Sequence, residues 1–222
     1  MASRPKQAEP RPQPRLYLVT PAIDDAAAFA PVLSEALAAG DVAAVLLRLA
    51  EADERTRINR AKQLGALVQN AGAAVLLDGD VDLVARAGAD GAHLRGIDAF
   101  TDALPRLKPD RIAGGGNLDS RHDAMIAAEA GADYLMFGDP DAGVAHSERP
   151  DLAATVERVA WWAEVFEAPC VAWVASIDEI APLVAAGADF IALGDWIWRE
   201  PQRTAAIVAQ AAPHLRLPET AA

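Results

Sequence analysis

The chain alternates short, almost purely apolar runs with longer segments in which apolar residues recur every three or four positions. A turn of Ala-Gly-Ala-Asp joins the two kinds of segment at residues 87–90, 130–133 and 186–189, and a looser Ala-Gly-Asp does so at residues 39–41. Glycine at the end of a helix can take the left-handed conformation that stops it. Continuous apolar runs are typical of parallel strands covered on both faces. The pattern therefore predicts repeated helix–strand units around a parallel sheet.

Eight apolar runs predict eight strands, at residues 16–20, 42–48, 73–78, 91–95, 111–114, 134–139, 170–175 and 190–193. The other segments predict eight helices, at residues 24–39, 53–70, 80–87, 98–107, 119–130 and 152–167, from Ser176 onward, and at residues 201–215. The first strand is expected to stop at Pro21, because proline cannot donate to a strand ladder. Ser176 and Glu179 have the spacing of a capping box at the start of helix seven.

Strict alternation of eight strands with eight helices predicts a single (β/α)₈ TIM barrel over residues 15–217. An open, doubly wound sheet is the alternative. Residues 1–14 are rich in proline and charge and lack an apolar stretch, so we expect a disordered tail there and no signal peptide. Residues 218–222 are expected to form a short C-terminal tail.

Charge and cysteine content narrow the functional classes. The 222 residues include 32 acidic and 20 basic side chains, a formal net charge of −12, which argues against nucleic acid or an anionic membrane as a partner. No apolar run approaches the roughly 20 residues that span a bilayer. We therefore expect a cytoplasmic protein with a small-molecule ligand, which could form a homo-oligomer. The single cysteine, Cys170, excludes an internal disulfide, and its apolar neighbours predict a buried thiol.

Three aspartates follow two neighbouring strands of the predicted barrel. Asp78 and Asp80 come at the end of strand three, and Asp98 comes shortly after strand four. A TIM barrel places its chemistry at the C-terminal ends of the strands. Magnesium takes oxygen ligands and often only one or two carboxylates, so these three residues could hold Mg²⁺. The alternative is that Asp78 and Asp80 cap helix three and Asp98 caps helix four.

Other residues at the predicted strand ends could contact an anionic substrate. The glycines at residues 114–116 indicate either a phosphate cradle or a flexible turn. The loops after strands seven and eight are the usual phosphate site of this fold, although a carboxylate at Asp195 would repel a phosphate there. The candidate substrate-binding residues are Arg48, Gly115, Gly116, Asn117, Gly138, Ser176, Gly194 and Asp195.

Three residues are candidates for catalysis: Arg48 after strand two, His93 in strand four, and His146 in the long loop after strand six. Histidine changes charge nearest to neutral pH, which suits it to acid–base chemistry. His93 has apolar neighbours, which favour a core histidine, whereas His146 is better placed to move. A group of tryptophans indicates either packing between barrel and helices or an interaction surface: residues 161, 162, 196 and 198.

Four segments together resemble the thiamine-phosphate synthase family and its TenI-like relatives. They are LYLVT at residues 16–20, VDLVARAGADGAHLRGID at 81–98, AGADYLMFG at 130–138 and VAWVASIDEIAPLVAAGADFIAL at 171–193. The resemblance spans about residues 15–217 and is specific in order and spacing. It implies a (β/α)₈ barrel that joins a pyrimidine diphosphate to a thiazole phosphate with Mg²⁺ and releases pyrophosphate. The TenI-like branch isomerises a thiazole phosphate without metal.

The resemblance also implies roles for individual residues. In the family, a Gln-Leu-Arg-Glu-Lys segment after strand two holds the diphosphate, and Arg48 is the part of it that this chain keeps. The family's first metal-binding Asp corresponds to Gly79, so Asp78 or Asp80 would have to replace it from one residue away. Its second metal-binding Asp matches Asp98.

Further departures lie in the parts that bind phosphate. The family's Ser after strand five falls within residues 114–116, and the following His, an acid–base group in the TenI-like branch, falls near Asn117. The Thr-x-Thr-Lys loop after strand six is missing, and Arg149 is the cation left in that segment. The Gly-Gly pair after strand seven is absent, and the Ser after strand eight corresponds to Asp195.

These changes remove positive groups and add acids, so they predict a divergent member of the family. One hypothesis is an active transferase of thiamine biosynthesis with altered contacts. The alternative is a catalytically degenerate member that binds a less anionic small ligand or acts as an interaction protein.

Overall fold

The computed structural model describes residues 11–140 and 149–217, and in it eight parallel strands form a closed barrel. The strands are β1 (Arg15–Ile23), β2 (Val42–Leu49), β3 (Ala74–Asp78), β4 (Gly91–Arg95), β5 (Ile112–Gly116), β6 (Tyr134–Phe137), β7 (Cys170–Val174) and β8 (Phe190–Leu193). Each strand pairs with the next along the chain, and β8 pairs with β1 to close the ring. The prediction of a (β/α)₈ barrel is confirmed, and the open sheet is excluded.

Eight α-helices alternate with these strands within the described residues. They are α1 (Ala26–Ala38), α2 (Glu54–Asn70), α3 (Val81–Ala87), α4 (Ile97–Leu107), α5 (Arg121–Ala130), α6 (Leu152–Val165), α7 (Ile180–Ala186) and α8 (Thr204–Ala211). Short 3₁₀ helices lie at Ile177–Glu179, Asp195–Trp198, Pro201–Arg203 and Ala212–Leu215. In the part of the chain that the structure describes, no helix is long and apolar enough to cross a bilayer.

Two separate cores hold the barrel together. The larger core lies between the strands and the surrounding helices, and includes Leu18, Leu47, Leu77 and Trp162. The smaller core fills the barrel interior, because alternate side chains of a strand point to opposite faces. Its buried members are Tyr17, Val19, Ala44, Leu46, Leu76, Tyr134, Met136, Val171, Trp173 and Ala192.

The aspartate of the repeated turn has a structural role that the sequence pattern did not reveal. Asp90 accepts a hydrogen bond at Oδ2 from the backbone N–H of Val75 (2.7 Å) and donates its own N–H to the Val75 carbonyl (2.8 Å). Asp133 makes the same pair of bonds with Ala113, and Asp189 makes them with Cys170. In each case the carboxylate fastens the start of the neighbouring strand.

The looser copy of the turn lacks this contact. The Asp41 carboxylate accepts hydrogen bonds from the side chain of Arg15, at 2.8–3.0 Å, instead of from a strand amide. Gly88, Gly131 and Gly187 all have positive φ and end their helices in the predicted way, whereas Gly40 does not.

Two local predictions are wrong. β1 does not stop at Pro21 but continues to Ile23; its pairing with β2 is irregular between Val19 and Ala22 and then resumes, which accommodates a residue without an N–H. The predicted capping box at Ser176 is absent, since the Ser176 side chain makes no cap bond. The Ala175 N–H donates to Glu179 Oε2 (2.8 Å), so the segment begins as a 3₁₀ turn and α7 follows.

The glycine triplet at residues 114–116 forms the end of β5, so the expectation of a flexible turn is wrong. A Cβ atom at Gly114 would lie 2.0 Å from the Tyr134 ring, and one at Gly116 would lie 2.6 Å from His93 Nε2. The glycines are therefore required by the side chains of neighbouring strands, which occupy the space that Cβ atoms would need.

The tryptophans and the cysteine have packing roles. Trp162 is fully buried, and its indole N–H donates to the Ala168 carbonyl at 2.7 Å. The indole N–H of Trp196 donates to Val174, and that of Trp198 donates to Val19. The Cys170 thiol is buried as predicted, and burial raises its pKa to about 12.

The repeated turn yields a stability prediction with a matched control in the same chain. In Asp90→Ala the amide of Val75, which is 1% exposed, loses its acceptor, so the free energy of unfolding should fall. The expected loss is about 1–3 kcal/mol, the usual cost of an unsatisfied buried donor. Asp41→Ala removes the equivalent residue but only an exposed side-chain ion pair, and should cost much less. Equal losses in urea unfolding of the two variants would contradict this role.

Candidate functional site

At the C-terminal rim of the barrel, two arginines hold the aspartate that ends β3. Arg95, the last residue of β4, donates from Nε to Asp78 Oδ1 (3.1 Å) and from Nη2 to Asp78 Oδ2 (3.0 Å). Arg48 in β2 donates from Nε to the same Oδ2 atom (3.0 Å). The planar guanidinium fork suits two-bond contact with a carboxylate. Because β2, β3 and β4 are neighbours in the barrel, the carboxylate lies between the two cations.

Arg48 also reaches across the mouth of the barrel. Its Nη1 donates to Asp195 Oδ1 at 3.0 Å, and its guanidinium carbon lies 5.7 Å from the centre of the Trp173 ring. Trp173 occupies the barrel interior next to Gly194, where a Cβ would approach the indole to 2.0 Å. The predicted residues Arg48, Gly194 and Asp195 are therefore brought together above a buried aromatic ring.

Arg95 extends the same network to β5 and β6. Its Nη1 donates to Asn117 Oδ1 (2.8 Å) and to the Pro140 carbonyl (3.2 Å), and lies 3.9 Å from Asp139 Oδ2. Asn117 has a φ of 49°, an uncommon conformation for a residue other than glycine. One guanidinium thus joins the ends of four strands, β3 to β6.

Electrostatics keep this network charged. Burial alone would raise the pKa of Asp78, but the hydrogen bonds and positive charge of Arg95, with the charge of Arg48, outweigh it and lower the pKa. Burial likewise opposes the positive charge of Arg95, and Asp78 more than compensates, so the pKa of Arg95 is raised. Asp78 is therefore ionised, and Arg95 is cationic, at neutral pH.

Asp139 and His93 face the same glycine below the rim. A Cβ on Gly116 would lie 2.6 Å from His93 Nε2 and 2.9 Å from Asp139 Oδ2, and neither atom has a hydrogen-bond partner among the described residues. Burial raises the pKa of Asp139 to about 6, against the opposing charge of Arg95. Burial lowers the pKa of His93 to about 4, so the imidazole is neutral at pH 7.

Buried hydroxyl groups connect His93 to the barrel interior. The Tyr134 hydroxyl lies 3.0 Å from His93 Nδ1 and 2.8 Å from the Tyr17 hydroxyl. Burial raises the pKa of both tyrosines, so both are neutral. His93 is therefore the core histidine that its apolar neighbours indicated. The other candidate histidine, His146, lies outside the described residues.

Two of the predicted metal ligands, Asp78 and Asp80, form ion pairs with arginine side chains. Asp80 accepts a hydrogen bond from Arg57 at 2.8 Å, while Asp78 is held by the two rim arginines. Asp98 is exposed in the first turn of α4, behind the N-cap position of Gly96. The capping alternative is confirmed in position for Asp80, which stands at the N-cap of α3 but makes no side-chain cap bond. It is wrong for Asp78 and Asp98, which are not N-cap residues. Within residues 11–140 and 149–217, no three acidic, cysteine or histidine residues form a metal-binding group.

A cavity of about 410 Å³ adjoins the network between the ends of β5 and β6 and the start of α6. Asn117 and Asp139 form the wall shared with the rim, and Thr155 and Arg158 line the α6 side. Gly138 has a φ of 81° and packs against Thr155. The volume is within the range of small-molecule pockets.

Comparison with known proteins identifies the family. A family model described as thiamine monophosphate synthase matches residues 16–197. The thiamine-phosphate synthase of Rhodospirillum centenum is 43% identical over 199 residues, which are 88% of this chain and 94% of that protein. The enzyme of the same name from Hyphomonas neptunium is 40% identical over 210 residues, 90% of this chain and 93% of that protein. The chain belongs to the thiamine-phosphate synthase family.

Solved structures show the same fold at lower identity. Thiamine phosphate pyrophosphorylase from Pyrococcus furiosus aligns with a TM-score of 0.71 and 22% identity, over 91% of this chain and 96% of that chain. The (S)-3-O-geranylgeranylglyceryl phosphate synthase from Thermoplasma acidophilum aligns with a TM-score of 0.61 and 14% identity, over 91% and 93% of the two chains. At these identities the likeness supports the barrel alone.

The magnesium site that the family resemblance implies does not fit the residues present. Both oxygens of Asp78 already accept guanidinium hydrogen bonds, and one oxygen of Asp80 accepts one from Arg57. Magnesium needs near-octahedral geometry and is usually bound through one or two carboxylates, and each guanidinium hydrogen bond occupies an oxygen lone pair that the metal would otherwise use. Two guanidinium cations on Asp78 also repel a third positive charge.

Sequence reasoning missed Arg95 and Asp139. Both stand at strand ends, where functional residues of a barrel are expected. The importance of Arg95 depends on contacts with distant residues, Asn117 and Pro140, and that of Asp139 depends on its burial in the folded barrel. The remaining candidates, Ser176 and Gly194, lie just after β7 and β8 as predicted.

Asp139 and His93 predict opposite pH dependences of stability. The raised pKa of Asp139 means that the folded protein binds a proton more tightly than the unfolded chain, so its contribution to stability is lost as pH rises from about 4 to 6. The lowered pKa of His93 means the reverse, so its contribution rises with pH from about 4 to 6.5. Asp139→Asn should therefore gain stability relative to the natural protein, by up to about 3 kcal/mol between pH 4 and 6.

Urea unfolding at pH 4, 5, 6 and 7 measures this difference. Asp119→Asn, which changes an exposed carboxylate beside the same cavity, serves as the control. Parallel curves for Asp139→Asn and the natural protein would show that Asp139 carries no such cost.

Proposed function

We propose that the protein is a thiamine-phosphate synthase, which joins a pyrimidine diphosphate to a thiazole phosphate and releases pyrophosphate. The main support is the pair of arginines at the rim of the barrel, Arg48 and Arg95. The chain also matches two proteins of that name over nearly their full lengths. A reaction that releases pyrophosphate needs positive groups at the place where charge develops on the leaving group.

In this proposal each part of the rim has a role. Arg48 and Arg95 face the leaving diphosphate, and Asp78 holds them in place. The adjoining cavity of about 410 Å³ accommodates the organic part of a substrate beside Asn117. Trp173 closes the floor of the barrel below Arg48, so water is kept from that side. Preorganised charges in a site closed to water act more strongly than the same charges in solution.

A specific observation favours a second candidate function. Asp195, whose side chain is 56% exposed, places a carboxylate on Arg48, and Asp139 places another beside Arg95. These acids weaken binding of a highly charged ligand by direct repulsion. A catalytically degenerate member that binds a less anionic molecule would tolerate them.

An assay of product formation distinguishes the two candidate functions. The protein, supplied with both thiamine precursors and Mg²⁺, should form thiamine phosphate and pyrophosphate. Arg48→Gln should lower kcat/KM by about 100-fold or more, as loss of one transition-state charge contact does. Arg15→Gln, which removes an arginine ion pair at the opposite end of the barrel, should leave kcat/KM nearly unchanged. Absence of product with the natural protein would favour the degenerate alternative.

A further inference from the structure

We propose that Arg48 and Arg95 form a two-guanidinium clamp that binds the diphosphate without a divalent metal ion. The identity of the ligand rests on the proposed function, whereas the clamp rests on contacts among the described residues. Arg95 is the new member, since neither the sequence pattern nor the family resemblance assigned it a role.

The clamp is organised around a single carboxylate. Arg95 bonds both oxygens of Asp78, and Arg48 bonds Oδ2, so one carboxylate fixes both guanidinium groups. Two further carboxylates lie beside them, Asp195 at Arg48 and Asp139 at Arg95. The side chains of Arg48 and Arg95 are 18% and 20% exposed, which leaves part of each accessible from the mouth of the barrel. Fixed guanidinium groups bind phosphate oxygens with good geometry and need little rearrangement.

The contacts of Arg95 show that it is held in place. Asn117 Oδ1 and the Pro140 carbonyl fix Nη1, while Asp78 fixes Nε and Nη2. A side chain held at every nitrogen loses little conformational freedom when a ligand arrives. Arg95 therefore acts as a fixed positive charge on the wall that β4 forms.

Arg48 is held differently. Its Nε is bound to Asp78, and among the described residues its Nη1 bonds to the Asp195 carboxylate alone, whose side chain is 56% exposed. An exposed ion pair of this kind is weak. An arriving phosphate group can replace Asp195 on Arg48, so Asp195 occupies the anion position of the unliganded protein and competes with the ligand.

The same carboxylate explains why a metal ion is not needed. In a metal-dependent site Asp78 and Asp80 would supply free oxygen ligands, but here arginines already bind both residues. The positive charge that a metal would bring beside Asp78 is supplied by the guanidinium of Arg95. The acidic residue that remains without such a partner, Asp98, is exposed on α4.

Binding of inorganic pyrophosphate, followed by calorimetry in EDTA, tests the clamp without requiring turnover. The natural protein should bind pyrophosphate in EDTA, with no gain in affinity when Mg²⁺ replaces the chelator. Arg95→Gln should weaken binding at least tenfold, because charge-assisted hydrogen bonds to phosphate are lost. Asp195→Asn should strengthen binding at least tenfold, since a competing charge is removed.

Controls separate the clamp from general effects of charge and folding. Arg15→Gln makes the same change at the far end of the barrel and should leave pyrophosphate affinity within twofold. If Arg95→Gln does not fold, the double variant Asp78→Asn/Arg95→Gln removes the orphaned carboxylate as well and should still bind at least tenfold more weakly than Asp78→Asn. Circular dichroism checks that each variant is folded.

Three results would overturn the proposal. They are binding that appears only with Mg²⁺, unchanged affinity in the Arg95 variants, and an equal loss in Arg15→Gln. These outcomes are distinct from failure of the proposed function. Metal-free pyrophosphate binding without product formation would leave the clamp standing and remove the transferase, whereas turnover with strictly Mg²⁺-dependent binding would do the reverse.

Discussion

The barrel depends on the way its strands begin. Asp90, Asp133 and Asp189 each close a helix-to-strand turn and bond the first amides of the neighbouring strand with their side chains. One residue thereby ends a turn, satisfies a buried N–H and sets the register of two strands. Register set at the N-terminal end carries to the other end: Asp78 is level with His93, and Arg95, two residues further along β4, is level with Gly116.

Features set by local sequence patterns could be predicted, whereas features set by contacts between residues far apart in the sequence could not. The barrel was predictable because turns, helix periodicity and buried strands are local patterns that repeat along the chain. The convergence of Arg48, Asp78 and Asp195 followed from the fold. Arg95 did not, because its importance depends on contacts with residues up to 45 positions away. The glycines of β5 were misinterpreted because a glycine needed for a turn and one needed to admit a neighbouring side chain look the same in a sequence.

The rim brings two arginines together in a chain that is acidic overall. At −12 the protein repels anions at a distance, but salt screens this repulsion beyond about 10 Å. Within the mouth the nearest groups dominate, and there Arg48 and Arg95 meet three carboxylates, those of Asp78, Asp139 and Asp195. An anionic ligand would therefore meet the two arginines only inside the mouth, and it would bind Arg48 by replacing the exposed carboxylate of Asp195.

Asp139 shows where the chain departs from what stability alone would favour. Its carboxylate is 4% exposed, lacks a hydrogen bond at one oxygen, and has a pKa raised by burial to about 6. At neutral pH it must ionise at a cost to the folded state. Its position offsets this cost in stability. Asp139 Oδ2 lies 3.9 Å from Arg95 Nη1, whereas Asp78 contacts the Nε and Nη2 atoms of the same guanidinium. A buried acid at this point helps to keep the Arg95 guanidinium in place, and local violations of this kind concentrate at functional sites. The cost of Asp139 is therefore best understood as a consequence of positioning Arg95.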